Sequence, residues 1–187
     1  MLAARPEEIL APRVASLLVV SGSNHAVAGS QVRTLIELDG ARVVACEPGA
    51  EDRSADALRR RLHAGSWTAL VPALPALSES AASRAIEAML ARILPRLDRP
   101  DALFVMGGET LHACCEALSA RSLVVQGSYA PGIPVSVIEG GPWHGVTVLS
   151  KSGAFGGAET LSNLIRGVTY GTRNVHASNS QNEDIRH

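Results

Sequence analysis

Two glycine-rich corners hold the residues in this chain best suited to chemistry. They are Gly107-Gly108-Glu109-Thr110 and Lys151-Ser152-Gly153-Ala154-Phe155-Gly156-Gly157. Each follows a short apolar run that reads as a strand, Ala102-Leu103-Phe104-Val105-Met106 and Gly145-Val146-Thr147-Val148-Leu149. Each precedes a segment that reads as a helix. A strand, a glycine turn and a helix N-terminus leave backbone N–H groups unpaired beside the positive end of the helix dipole. That arrangement suits a phosphate, and glycine lets the backbone approach an anion with no side chain in the way. Thr110 adds a hydroxyl, Glu109 a carboxylate able to touch a ribose or a metal-bound water, and Lys151 a point charge. Ser21-Gly22-Ser23 forms a weaker third corner, where a serine either binds phosphate or caps a helix. The same glycines also suit a tight strand-to-helix turn or a packing loop, and spacing alone leaves both readings open.

Other chemistry finds little support. The second corner is not a Walker A loop, since Gly-x-x-x-x-Gly-Lys-Ser/Thr is absent, and Gly22-Ser23-Asn24-His25-Ala26-Val27 is not the Gly-x-Gly-x-x-Gly of a dinucleotide-binding oxidoreductase. Cys46, Cys114 and Cys115 form neither a Cys-x-x-Cys pair nor a disulfide framework, and the histidines have no ligand spacing. His112 reads as structural, Cys114 and Cys115 as core residues, and Gln31 as a surface or structural residue. No paired carboxylate stands out as a general acid/base couple.

The corners need elements to position them. Ser16 to Ser21 is a continuous apolar run, as in a strand buried on both faces. Helical spacing follows over Ser30 to Leu38, then a strand over Arg42 to Cys46, an arginine-rich amphipathic helix over Glu51 to Ala64, and a strand over Thr68 to Pro72. Ser78 to Leu94 is the longest helical stretch, stopped by Pro95. Leu111 to Leu118 reads as the helix behind the first corner and Ala158 to Val168 as the last helix. Strands at Leu123–Val125, Val135–Ile138 and Val146–Leu149 are joined by loops, Gly127–Pro134 and Gly140–His144, too short for a parallel crossover. The alternation predicts an α/β fold of the Rossmann-like kind. It has a mostly parallel twisted sheet with helices on both faces, and a mixed or antiparallel C-terminal part. Ligands of such sheets bind outside the carboxyl ends of the strands, where all three corners would meet. The domain is expected over residues 15–170, after a leader or linker remnant over 1–14 and before a flexible polar tail over 171–187.

Composition agrees with a globular domain. The chain has 187 residues, 46% of them hydrophobic and 19% charged, with a net charge of −1. Arg59-Arg60-Arg61 lies inside a helical pattern, and with aromatics at 3% there is no basic field or stacking platform for nucleic acid. No apolar run reaches the roughly 18 residues of a membrane span. Free cysteines point to a reducing, cytoplasmic compartment.

Four segments, in order, resemble the C-terminal nucleotide-binding domain of the four-carbon acid sugar kinases. They are Val19-Val20-Ser21-Gly22-Ser23 with Gln31, Phe104 through Thr110, Gly127-Ser128-Tyr129-Ala130-Pro131-Gly132-Ile133-Pro134, and Lys151-Ser152-Gly153-Ala154-Phe155-Gly156. The resemblance spans roughly residues 15–167. It implies a domain that binds ATP with Mg2+ for phosphoryl transfer to a threonate- or erythronate-like sugar acid. It places the nucleotide contacts on Ser23, Gly107, Gly108, Glu109, Thr110 and Gly153, with Ser21 a rival to Ser23. Ala28 stands where the family usually has threonine. The family's N-terminal half, with the catalytic aspartate in an Asp-Asp-x-Thr-Gly stretch, has no counterpart in this sequence. The chain is therefore expected to be a fragment or a split or truncated gene product, inactive as a kinase alone, with no catalytic residue or protein metal site of its own. The sugar acid would be held by the missing half, and an exposed interdomain face leaves room for a homodimer or a partner chain. The alternative is a non-catalytic module that senses a nucleotide or binds a partner.

Overall fold

Strand β1 (Ser16–Ser21) is buried from Leu17 to Ser21, as its unbroken apolar run requires. Strand β4 (Ala102–Met106) is buried throughout. In a strand, neighbouring side chains point to opposite faces, so both strands must be covered on both sides. The computed structural model describes residues 13–171 and shows how. Around β1 and β4 lie β2 (Val43–Cys46), β3 (Ser66–Pro72), β5 (Ser122–Ala130), β6 (Ile133–Glu139) and β7 (Thr147–Lys151), in the order β2-β3-β1-β4-β7-β6-β5. The five strands from β2 to β7 in that order are parallel, and β6 is antiparallel to both β7 and β5. The expected mixed C-terminal part is the β5–β6 hairpin and its junction with β7.

Helices α1 (Ala26–Asp39) and α5 (Thr160–Tyr170) cover one face. There Val32, Leu35, Leu161 and Ile165 pack with Leu17, Val19, Phe104 and Met106. Helices α2 (Glu51–His63), α3 (Glu79–Ile93) and α4 (Gly108–Ala117) cover the other face. Leu58, Met89, Leu90 and Cys114 meet Leu18, Val20, Leu103 and Val105 there. Burial of both faces removes most of the sheet's apolar surface from water, at roughly 25 cal/mol per Å².

Most boundaries shift by a residue or two, and three differ by more in ways that bear on the site. Helix α4 begins at Gly108, not Leu111, so Glu109 and Thr110 form its first turn. An acidic residue in a first turn is favoured by the dipole, which a search for apolar periodicity overlooks. Helix α1 starts at Ala26, four residues early, because His25 caps it by accepting the Val27 N–H on Nδ1 (3.2 Å). The segment Gly127–Pro134 is not a loop: β5 and β6 run through it, leaving Pro131-Gly132 as the turn. Pro134 fits because β6 pairs with β7 only over Val135–Val137, so its missing N–H interrupts no bond to β7. The leader over 1–14 and the tail over 171–187 lie outside the described residues, except at Arg13, Val14 and Gly171. Val14 is buried, its N–H donating to Val168 (3.2 Å), and Gly171 closes α5 in a left-handed conformation (φ +71°).

β1 and β4 are locked together at their starts. The Asp101 carboxylate accepts the N–H groups of Ala15 (2.8 Å) and Ser16 (2.9 Å), while the Ser16 hydroxyl accepts the Asp101 N–H (2.9 Å). Replacing Asp101 by Ala removes two hydrogen bonds to a charged acceptor at this exposed seam. Urea unfolding of Asp101→Ala is expected to show a loss of about 1–3 kcal/mol; a midpoint equal to the wild type would contradict the assignment.

Candidate functional site

The register of the parallel strands sets the site. Ser21 pairs with Met106 and Met106 with Lys151. The carboxyl ends of β1, β4 and β7 therefore stand in one row, and the three glycine corners leave the sheet side by side. The direction in which the chain adds strands reverses between β1 and β4, which is where ligands of open α/β sheets bind. A cleft of about 620 Å³ opens there. Ser23, Gly107, Gly108, Glu109, Thr110 and Gly153 all line it.

The close approach of the corners explains their glycines. A Cβ on Gly153 would fall on the Ser23 hydroxyl and lie 2.8 Å from the Ser23 Cβ. A Cβ on Gly22 would lie 2.6 Å from the Thr110 hydroxyl. Gly107 has φ +106°, open to glycine and strained for other residues. Its N–H donates to the Lys151 carbonyl (3.0 Å), which joins the first corner to the last. Gly108 differs, since nothing lies within 4 Å of a Cβ built there. It faces open cleft at the head of α4. No side chain caps that helix, so the N–H groups of Gly108, Glu109 and Thr110 lack partners within it.

Thr110 is buried beneath Gly22 and Gly107, and its hydroxyl braces the corners from below. The Glu109 carboxylate accepts the Ser83 hydroxyl of α3 (2.9 Å), bridging the two helices beside the cleft. Ser23 accepts the His25 N–H (3.3 Å). Ser21 is buried at the strand end and lines only a smaller adjoining chamber, whereas Ser23 lines both spaces. Ala28 is fully buried in α1 and lines neither space.

Lys151 does something other than meet the cleft. Its side chain is buried, and its Nζ donates to the carbonyls of Ser152 (3.0 Å) and Phe155 (3.1 Å). Gln31, fully buried in α1, donates to the carbonyls of Phe155 (3.1 Å) and Gly157 (2.8 Å). Lysine and glutamine together hold the Ser152–Gly157 loop by its backbone and present Gly153 to Ser23. The hairpin tip completes the support, because Gly132 lies against the Phe155 ring, where a Cβ would come within 2.7 Å. Thus the four segments singled out by sequence form one assembly, three as corners and the fourth as a buttress. Among the described residues no carboxylate pairs with Lys151, and burial holds its pKa below the ordinary lysine value.

A family model, the nucleotide-binding C-terminal domain, matches residues 18–161. The chain belongs to this family. Solved structures share the domain's fold. A DUF1537 protein of unknown function from Bordetella bronchiseptica, a domain-swapped dimer with bound citrate, is 21% identical (TM-score 0.66; 83% of this chain and 41% of that one). A putative tRNA synthase from Salmonella typhimurium is 18% identical (TM-score 0.60; 86% and 42%). A DUF1537 protein from Haemophilus influenzae is 19% identical (TM-score 0.56; 83% and 41%). The chain spans about two fifths of the length of these structures. No curated protein matches it significantly.

Several residues of the nucleotide-binding domain's cleft escaped the sequence reading. Asn24 and His25, read as a plain turn, line it from the β1–α1 connection, and Glu79, Ser83 and Glu87 line the α3 side. Their only signal was helical spacing opposite the apolar stripe of α3. His112 is exposed and lines neither space. Cys114 is fully buried, and burial pushes its thiol pKa well up, so it serves the core. No helix of the described residues is long and apolar enough to cross a membrane.

Two contrasts test this geometry. Gly153→Ala must displace Ser23 and is expected to destabilise the domain by about 1–3 kcal/mol, while Gly108→Ala changes stability by less than about 0.5 kcal/mol; urea unfolding of both variants separates them. The second concerns pH. Because the folded pKa of Lys151 is lowered from 10.5, the unfolded chain binds more protons between that lowered value and 10.5, so stability rises with pH in this window. Wild-type stability relative to Lys151→Met should climb as pH is raised toward about 10.5. A flat difference would mean that burial does not perturb the ammonium.

Proposed function

We propose that the domain binds ATP in the 620 Å³ cleft and is the nucleotide-binding half of a four-carbon acid sugar kinase. One observation supports this above others. Three glycine corners from the ends of β1, β4 and β7 converge beside the uncapped N-terminus of α4. Such a surface offers backbone N–H groups and a positive dipole end to phosphate oxygens. In this reading Gly107, Gly108 and Gly153 give close backbone approach, Ser23 adds a hydroxyl, and Glu109 and Thr110 contribute their N–H groups. Lys151 sets the loop and lends positive charge from behind it.

Phosphoryl transfer depends on positioning and on neutralising charge, and this half supplies the cradle for the donor. Mg2+ would enter with the nucleotide. Among the described residues no cluster of three or more His, Cys, Asp or Glu side chains could hold a metal. A magnesium ion that enters with a nucleotide is held by phosphates and one or two carboxylates, and Glu109 and Glu87 border the cleft. When bound, the ion would neutralise phosphate charge. The sugar acid and the group that positions its hydroxyl belong to an N-terminal half with an Asp-Asp-x-Thr-Gly stretch. The domain-swapped dimer of the Bordetella protein supports self-association here as well.

Calorimetric titration with Mg-ATP tests the proposal. The chain is expected to bind, and Gly108→Val, at a corner position with open space for a side chain, to lose binding while circular dichroism shows it folded. Equal binding by this variant would move the nucleotide away from the head of α4. Kinase turnover by residues 1–187 alone would overturn the assignment to a half-enzyme.

A further inference from the structure

Beside the phosphate cleft lies a second chamber of about 320 Å³. It shares Gly22, Ser23, Asn24, Leu77 and Ile86 with the cleft, so the two are continuous. Its chemistry is different. The cleft is bordered by Glu79, Glu87 and Glu109 and by the helix N-terminus. The chamber is walled by Val32 of α1, Val71 at the end of β3, Ala82 and Ile86 of α3, and the connection Leu74-Pro75-Ala76-Leu77. Of its polar side chains, Ser21 ends β1, and Ser23 and Asn24 come from the β1–α1 turn where the chamber meets the cleft. Leu77 is 44% exposed, as an apolar side chain rimming an open chamber would be.

We infer that this chamber takes the purine base of the nucleotide; the inference rests on the reading of the neighbouring cleft as a phosphate site. A base is a flat apolar body with polar edges. One placed here would set its faces against Val32, Leu74 and Ile86, and its sugar would reach back over the Ser23 turn to the phosphates. Pro72 and Pro75 have no backbone N–H, so this wall offers few donors to the base edge, and no carboxylate or amide side chain lies in its apolar part. Affinity then comes from the faces, and adenine and guanine are held alike.

Gly29 supplies the test. It lines the chamber, and a Cβ built on it meets only the Arg33 side chain at 3.6 Å. Replacing a glycine within a helix also favours the helix, so Gly29→Phe should fill the chamber in a folded protein. Leu74→Asp, on a connection outside the helices and strands, probes the same wall from the other side. Calorimetry would compare Mg-ATP, Mg-GTP and inorganic tripolyphosphate on the wild type, both chamber variants and Gly153→Val. The expected result is that wild type binds ATP and GTP within about threefold of each other, and both at least tenfold more tightly than tripolyphosphate. Each chamber variant brings ATP to the tripolyphosphate level and leaves tripolyphosphate unchanged, while Gly153→Val weakens all three. Wild-type ATP binding in both chamber variants, or equal ATP and tripolyphosphate affinities in the wild type, would overturn the chamber assignment and leave the phosphate cleft standing. Failure of the wild type to bind either ATP or tripolyphosphate would overturn both.

Discussion

Everything at the candidate site depends on the contact between Gly153 and Ser23. Two chain segments separated by much of the domain's length meet there, with no room for a methyl group. That proximity follows from strand register, because β1, β4 and β7 are parallel neighbours whose last residues stand in one row. The Asp101 clamp fixes the start of the first two strands and the Gly107–Lys151 hydrogen bond fixes the end of the last two. Between those points the sheet is a ruler. Pleated strands advance by a fixed rise per residue, so pinning both ends leaves the corners little freedom to drift apart.

A second constraint is electrostatic. A buried ammonium without a carboxylate is unfavourable in a protein interior, yet Lys151 is held this way by two carbonyls. Carbonyl dipoles offset part of the desolvation. They also commit the loop, since Phe155 offers one oxygen to both Lys151 and Gln31. A neutral side chain of the same length would fill the space without organising those carbonyls. The lysine is thus explained by loop geometry before any ligand is considered.

Much of this was legible in the sequence where local rules decide. The runs Ser16–Ser21 and Ala102–Met106 announced strands buried on both faces, Pro95 marked the end of α3, and the glycine corners were placed at the carboxyl ends of strands. The rest was hidden because its causes are distant in the chain. Gln31 is a lone polar residue on a helix until its partners 124 and 126 residues away are known. Lys151 looked like a phosphate ligand because lysine beside glycine suits one, and only burial shows that it points behind the loop. The Gly127–Pro134 segment is full of residues that break strands, and its pairing is dictated by the antiparallel partner, not by propensity. The first turn of α4 was missed because glycine at its head hides the helix from any propensity scale.

The strand order also has a consequence in time. β7 lies between β4 and β6, although β5 and β6 precede it in the chain. The row of corners is therefore completed only when one of the last elements made inserts between strands already synthesised. Contacts of such long sequence separation form slowly, because loop-closure entropy must be overcome before they become favourable. During synthesis the first corner waits for most of the domain to emerge before its surface exists. A ligand held by that row recognises the finished sheet and no earlier species, so its binding energy acts wholly on the completed native state.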